Sequence, residues 1–127
     1  MNEGDRIEDL KVTPDKYLPH RYAGASGDFN PIHIDKEFAT QVGLPSNILH
    51  GLYGMAQVAR AMQQAAGGDP RKLKRLSVQF RGMGFPEQEI VVTGTVKSVD
   101  GGRATIETEA AQGDNRIIRN AEAELEV

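Results

Sequence analysis

The feature that most constrains the fold is an apolar segment of helical periodicity in the middle of the chain, over residues 51–66. Its apolar residues recur at the spacing of one helix face: Leu52, Met55, Ala56, Ala59, Met62 and Ala66. Val58 and Ala61 widen the apolar surface beyond one stripe, which is typical of a helix that is buried on most sides. The sequence therefore predicts one long buried helix.

After this helix, apolar and polar residues alternate with the period of two that β-strands show. We predict strands over residues 76–80, 88–99, 104–110 and 121–127. Asp100-Gly101-Gly102 and Gly113-Asp114-Asn115 predict the hairpin turns that join the last three strands. The pattern indicates an antiparallel sheet with one polar face, and the economical packing wraps that sheet around the helix.

The length fits a single domain, and the predicted helix and strands make its class α+β. The chain has 127 residues, 39% of them hydrophobic and 6% aromatic, so a core is possible but lean. The net charge of −3 argues against a nucleic-acid partner, and the absence of cysteine excludes disulfides, thiol catalysis and Cys-ligated zinc. The polar start and the lack of an apolar run of about 20 residues predict neither a signal peptide nor a membrane span. We therefore expect a cytoplasmic protein.

Two shorter helices are predicted before the central one. Thr13-Pro14-Asp15 offers a capping hydroxyl, a proline for the first helical position and an acid for the first turn. This predicts a helix over 14–25 that stops near Gly27. A second short helix is predicted over 35–42, with Asp35 as its cap.

The residues suited to chemistry are concentrated between these two helices. Residues 25–37 place Asp28, Asn30 and His33 around a glycine and a proline. A carboxylate five residues before a histidine, on a turn stiffened by Pro31, suits a site where one group takes a proton and another gives one. Taken alone, Asp28 reads as a turn aspartate and His33 as a structural histidine. Their combination indicates catalysis.

These residues resemble the hydratase-2 motif of the MaoC-like, (R)-specific enoyl-thioester hydratases. The resemblance rests on Ser26-Gly27-Asp28-Phe29-Asn30-Pro31-Ile32-His33-Ile34-Asp35 and, at the expected distance, on His50-Gly51-Leu52-Tyr53-Gly54. It implies a hot-dog fold over residues 1–127, in which an antiparallel sheet wraps one long helix. It also implies a dimer with active sites near the subunit interface, formed with a second copy or with a related chain.

The resemblance also implies roles for individual residues. Asp28 and His33 match the catalytic pair, and Asn30 matches a residue that braces the site. Gly51 matches the glycine whose backbone amide meets the thioester carbonyl. The implied substrate is an enoyl thioester of coenzyme A or acyl carrier protein, and the implied reaction requires no metal and no redox cofactor.

Some assignments stay open at the level of the sequence. Tyr53 and Met55 are candidates for substrate binding, but acyl-pocket lining and core packing predict the same residues there. His50 either braces a loop or takes part in the chemistry, and the brace is the favoured reading. A basic cluster forms either a solvated surface or a contact for the phosphates of a nucleotide-bearing substrate; its members are Arg71, Lys72, Lys74 and Arg75.

The expected function is reversible syn hydration of trans-2-enoyl thioesters to (3R)-hydroxyacyl thioesters. Asp28 and His33 would activate one water, and the Gly51 amide would stabilise the developing enolate oxygen. Two alternatives remain: a non-catalytic hot-dog subunit that binds acyl thioesters or stabilises a partner, and a hot-dog thioesterase. Many relatives have Pro-Gly-Asp where this chain has Pro86-Glu87-Gln88, and often a hydroxyl where it has Ala59. Neither difference changes Asp28 or His33.

Overall fold

The structure, a computed structural model that describes residues 1–127, contains one five-stranded sheet and four α-helices. The strands are β1 (Leu10–Val12), β2 (Leu73–Phe80), β3 (Ile90–Asp100), β4 (Arg103–Gln112) and β5 (Asn115–Glu126). The helices are α1 (Leu18–Ser26), α2 (Pro31–Ile34), α3 (Lys36–Gln41) and α4 (Gly51–Ala65), and a single 3₁₀ turn at Pro70–Lys72 leads into β2.

The sheet is antiparallel throughout, with the spatial order β1-β3-β4-β5-β2. Its centre is the predicted meander β3-β4-β5, joined by two tight turns. Gly101 and Gly102 have φ angles of 57° and 76°, and Gly113 has 60°, a backbone region that favours glycine. The two predicted hairpins are thus confirmed. The three-residue β1 and the eight-residue β2 form the edges of the sheet.

The central helix α4 lies across the sheet and contacts all five strands. The prediction of a helix over 51–66 is confirmed to within one residue. The residues that it buries are Tyr53, Gly54, Gln57, Val58, Ala61 and Met62. The expectation that it is buried on most sides is wrong for one stripe at four-residue spacing: Leu52, Ala56, Arg60 and Gln64 are exposed. No helix of the chain combines the length and the apolarity that crossing a bilayer requires.

The last strand begins earlier than its alternation predicts. Ala121, Ala123 and Leu125 are buried in turn, as expected, but β5 already starts at Asn115. The two neighbours Ile117 and Ile118 are both buried, which breaks the period of two and hides the strand from a pattern search. The pairing of β4 with β5 shifts register beside these isoleucines, as β-bulges do.

The first helix also differs from the prediction, because it begins at Leu18 and not at Pro14. The Asp15 carboxylate accepts the Tyr17 amide at 2.8 Å and pairs with Arg21 at 2.6 Å. The Pro14 carbonyl accepts the amide of Glu87 at 2.6 Å. This local turn and the contact with the loop before β3 hold the segment out of the helix, since aspartate bonds to nearby amides compete with helical ones. The predicted end at Gly27 is confirmed by its φ of 80°.

Candidate active site

The segment that carries Asp28 and His33 is folded by a one-turn helix, α2, which the sequence pattern does not predict. Asn30 caps this helix, and its Oδ1 accepts the Ile32 amide at 3.2 Å. Pro31 takes the first helical position, where no amide hydrogen is needed. His33 is the third residue of α2 and is 8% exposed. The Asn-Pro pair therefore starts the turn of helix that directs the histidine inward.

Asp28 and His33 face each other across a short gap. Oδ2 of Asp28 lies 3.7 Å from Nε2 of His33. The other oxygen, Oδ1, accepts the Asn30 amide at 3.2 Å, and the amide of Asp28 itself donates to the Ser26 hydroxyl. The Asp28 side chain remains 52% exposed, whereas His33 is buried. The pair thus places a solvent-exposed carboxylate beside a buried imidazole.

A second segment, residues 47–50, is bonded to α2 through Asn47 and Ile48. The Ile48 amide donates to the Ile32 carbonyl at 3.0 Å, and the Ile48 carbonyl accepts Nδ1 of His33 at 2.8 Å. The side-chain amide of Asn47 donates to the His33 carbonyl at 2.9 Å. These bonds join residues that lie 14 to 16 positions apart, and they fix both the ring and the backbone of His33.

His50, which ends this second segment, stacks on His33. The ring centroids are 3.9 Å apart and the ring planes are inclined by 24°. Nε2 of His50 lies 2.9 Å from the carbonyl oxygen of Asp28, and the residue is only 3% exposed. The favoured reading of His50 as a brace matches these contacts, which join it to both members of the pair.

A cavity of about 170 Å³ opens beside His33 and His50. Gly51, the first residue of α4, lines it, and its amide is one of the initial helix amides that have no acceptor within the helix. Much of the remaining wall is apolar and comes from the segment before α4, from α4 itself, from β2 and β5, and from the loop after β2: Ile48, Leu49, Gly54, Phe80, Gly82, Met83, Gly84, Ile117 and Ile118. The cavity thus brings a free amide and a buried histidine next to an apolar surface.

The three side chains of Asp28, His33 and His50 also form a cluster of potential metal ligands. Their possible ligand atoms lie within 4.8 Å of one another. The two rings are stacked, however, so their in-plane lone pairs run side by side and do not converge on a point about 2.0–2.1 Å from both nitrogens, the usual Zn–N distance. Each ring also directs one nitrogen at a backbone carbonyl. The arrangement does not fit a zinc ion held by both histidines.

Asp28 does not line the cavity itself and reaches it only through His33, and other predicted residues also lie outside it. Asn30 acts on the site through its cap of α2. Tyr53 is buried beside Tyr22, with ring centroids 6.0 Å apart, and Met55 is half-buried against the core. Neither Tyr53 nor Met55 lines the cavity, so this structure places them with the core. Asp35 caps α3 by accepting the Phe38 amide at 3.1 Å, as predicted.

The basic cluster is largely neutralised by acidic neighbours. Arg71 pairs with Asp69 at 3.0 Å, and Lys74 and Arg75 lie 3.4 Å and 3.8 Å from Glu126 and Glu124. A wider depression of about 540 Å³ lies on the polar face of the sheet, where arginine, glutamate and threonine side chains alternate. It contains no histidine and no apolar wall, so the smaller cavity is the candidate site.

The sequence does not predict the lining residues Phe80, Met83, Ile117 and Ile118 as part of the site. They lie far from the motif in sequence, and only the crossing of β2 and β5 over the start of α4 brings them to His33. The consecutive isoleucines after the last turn are the one available signal, because two buried neighbours in a strand mark a bulge or a special surface.

Comparisons with known proteins identify the family of the chain. The model of the MaoC like domain family matches residues 3–116. The fatty acid synthase beta subunit hexB of Dothistroma septosporum is 34% identical over 98% of this chain, and the matched region is 6% of that subunit. The chain thus corresponds to a small part of that relative.

Solved structures show the same architecture. A MaoC-like dehydratase superposes with a TM-score of 0.93 at 26% identity, over 99% of this chain and 40% of that one. An (R)-hydratase from A. caviae superposes with a TM-score of 0.88 at 23% identity, over 100% of this chain and 97% of that one. The antiparallel sheet around one central helix is therefore the hot-dog fold, and the chain belongs to the MaoC-like dehydratase domain family.

Proposed function

We propose that this protein catalyses the reversible syn hydration of trans-2-enoyl thioesters to (3R)-hydroxyacyl thioesters. The observation that carries the proposal is the separation of 3.7 Å between Asp28 Oδ2 and Nε2 of His33, a residue that lines a largely apolar cavity. Two acceptors at this separation can both contact one water at hydrogen-bond distances of about 2.8 Å. Membership of a dehydratase family supports the same reaction class.

The state of His33 follows from its backbone contact. A carbonyl oxygen only accepts, so the ring donates from Nδ1 to Ile48, and Nε2 of the neutral ring carries a lone pair towards Asp28. The water oxygen bonds to the β-carbon while one proton of that water passes to the Asp28–His33 pair. The pair returns a proton to the α-carbon from the same face. The net change is addition of one water, and the pair recovers its starting state.

The amide of Gly51 is the proposed donor to the thioester oxygen. Negative charge grows on that oxygen as the β-carbon is attacked. Gly51 opens a helix of 15 residues, so its amide lies at the positive end of the helix dipole. It lines the same cavity as His33. A carbonyl bound there holds the β-carbon on the side of the cavity where the water is held.

The substrate class follows from the wall of the cavity. Apolar side chains of Ile117, Ile118 and Met83 suit an acyl chain, and the exposed side of Asp28 suits the arrival of water. The carrier, coenzyme A or acyl carrier protein, and the physiological direction of the reaction are both open within this proposal. A cytoplasmic location and a reaction without metal or redox cofactor are part of it.

We also propose that the functional unit is a dimer, with a second copy or a related hot-dog chain. The edge strand β2 leaves one row of backbone groups unpaired over eight residues, and its residue Phe80 is 51% exposed while lining the cavity. Pairing two β2 edges would bury both features.

The proposal is tested with a panel of crotonyl, medium-chain and bulky trans-2-enoyl thioesters on both carriers. Loss of the absorbance of the conjugated double bond and chiral analysis of the product report hydration. We expect turnover to the (3R) product with at least one substrate. Binding without turnover favours the non-catalytic subunit, and release of free thiol favours a thioesterase. A (3S) or racemic product contradicts the proposed placement of the water.

A further inference from the structure

His50 is the buried polar group that the proposed chemistry leaves without a task. It precedes α4 but makes no side-chain cap for that helix. Its Nδ1 atom is buried and has no hydrogen-bond partner. A buried acceptor without a partner lowers stability, so an apolar ring would serve better if the position only filled space. The residue therefore requires an explanation beyond packing.

The side chain of His50 contacts both members of the proposed catalytic pair and the ring of Tyr22. Nε2 lies 2.9 Å from the Asp28 carbonyl oxygen. One ring face covers His33, with centroids 3.9 Å apart, and the ring centroid of Tyr22 in α1 lies 4.7 Å from that of His50. His50 is thus held in place by Tyr22 and in turn contacts the backbone of one member of the pair and the ring of the other.

These contacts require opposite tautomers in the two stacked rings. Both backbone partners are carbonyl oxygens, which only accept. His33 must therefore carry its hydrogen on Nδ1, which points at Ile48, and His50 must carry its hydrogen on Nε2, which points at Asp28. The bare nitrogens are then Nε2 of His33, which faces the Asp28 carboxylate, and the buried Nδ1 of His50.

We propose that His50 is a positioning residue for the catalytic pair. Its Nε2–H donates to the Asp28 carbonyl and fixes that backbone, while its stacked ring fixes the plane of the His33 ring. This inference rests on the proposed function and extends it to a residue outside the reacting groups. The bond to the carbonyl restrains a backbone group of Asp28 that its own turn leaves free, since the turn bonds only its amide and its Oδ1 within residues 26–30. Small displacements of such groups cost up to about 10²-fold in rate.

The first test uses the wild-type protein without substrate. Long-range ¹H–¹⁵N spectra of the imidazole rings near pH 8 distinguish a protonated ring nitrogen from a bare one. We expect the Nδ1–H tautomer for His33 and the Nε2–H tautomer for His50. An Nδ1–H tautomer at His50 overturns the proposal, because no donor would then face Asp28. This result does not depend on turnover, so it remains informative if the protein fails to hydrate enoyl thioesters.

The second test compares two substitutions with a matched control. His50→Phe keeps a flat ring but removes the donor, and it also removes the unpaired Nδ1. We expect Tm to stay within a few degrees of wild type or to rise, while kcat falls at least about tenfold with little change in KM. His50→Gln retains a donor, and we expect it to keep more of kcat than His50→Phe.

The control is His20→Gln, because His20 makes the same kind of ring–carbonyl contact, at 3.0 Å to Ile34, but is exposed and lies outside the cavity. Its kcat should match wild type. Wild-type kcat in folded His50→Phe, with a lowered Tm, would assign His50 to stability alone and overturn the proposal. Equal losses in His50→Phe and His50→Gln would contradict the role given to the donor.

Discussion

Phe80 of the edge strand lies directly over Gly51, the first residue of the central helix. A Cβ built on Gly51 would stand 3.2 Å from Cδ1 and 3.3 Å from Cε1 of the Phe80 ring. The absence of a side chain at Gly51 thus leaves room for the aromatic ring, and both residues line the cavity.

Gly51→Val should reduce turnover far more than stability. The branched side chain would crowd a thioester carbonyl away from the amide, and loss of one such donor costs about 10²-fold or more in kcat. Phe80 is half exposed and can move aside, and valine is no worse than glycine in a helix, so Tm should change by only a few degrees. Steady-state kinetics and thermal melts decide the point. Gly24→Val, which adds the same side chain in open space, should keep wild-type kcat.

Two glycine-to-alanine substitutions should change stability in opposite directions. A Cβ on Gly82 would stand 2.7 Å from the Arg116 carbonyl oxygen, so Gly82→Ala must displace backbone and should lose about 1–3 kcal/mol of unfolding free energy. Gly24 lies within α1 with open space around it, and Gly24→Ala should gain about 0.5–1 kcal/mol. Urea unfolding of both variants is the measurement, and a stabilised Gly82→Ala protein would contradict the close approach of the loop after β2 to β5.

A dimer joined through β2 should be open to cross-linking in a chain that has no native cysteine. Arg75, Ser77 and Gln79 are exposed residues spaced by two along this edge. In a two-fold antiparallel pairing, the residue nearest the axis faces its own copy. At least one of Arg75→Cys, Ser77→Cys and Gln79→Cys should therefore form a disulfide-linked species of twice 13.8 kDa under mild oxidation.

The control for this cross-linking is Thr40→Cys, since Thr40 is exposed on α3, away from the edge. It should remain unlinked under the same conditions. Light scattering of the wild-type protein at micromolar concentration provides the independent readout. A stable and active monomer would contradict the proposed dimer, and activity gained only with a related chain would indicate a heterodimer.

Stability at alkaline pH should depend on Tyr53. Burial raises the pKa of its hydroxyl above the ordinary value of about 10. The folded state then holds this proton more tightly than the unfolded state, so its contribution is complete below pH 10 and is lost as pH rises through the raised pKa. Tyr53→Phe should flatten the decline of unfolding free energy above pH 10. Tyr17→Phe, at an exposed tyrosine, should not.

The elements that depend on local pattern could be predicted from the sequence. Alternation and glycine turns place the meander, and helical spacing places α4, because these signals reflect which face of each element meets the core. The late start of α1 could not be predicted in this way. It depends on Arg21 reaching back to Asp15 and on Glu87 bonding to Pro14, a contact between residues more than 70 positions apart.

The candidate site also has a part that could be predicted from local sequence and a part that depends on distant contacts. Asp28, Asn30 and His33 are neighbours in sequence, so their association could be predicted from one motif. The stack of His50 on His33 and the approach of Phe80 to Gly51 arise only when the segment 47–50 is bonded to α2 and β2 crosses α4. Their side chains carry no local signal for this, because a buried histidine and an edge phenylalanine each have ordinary structural explanations.

The most direct test of the central claim is enoyl-thioester hydration by Asp28→Asn, with His33→Ala and the double variant beside it. Each single variant should fold, as circular dichroism and thermal melts will show, and should lose at least about 10² in kcat, since each removes one acid–base group. If both groups act on one water, the double variant should be little slower than either single variant. Near wild-type turnover in folded Asp28→Asn would contradict the account.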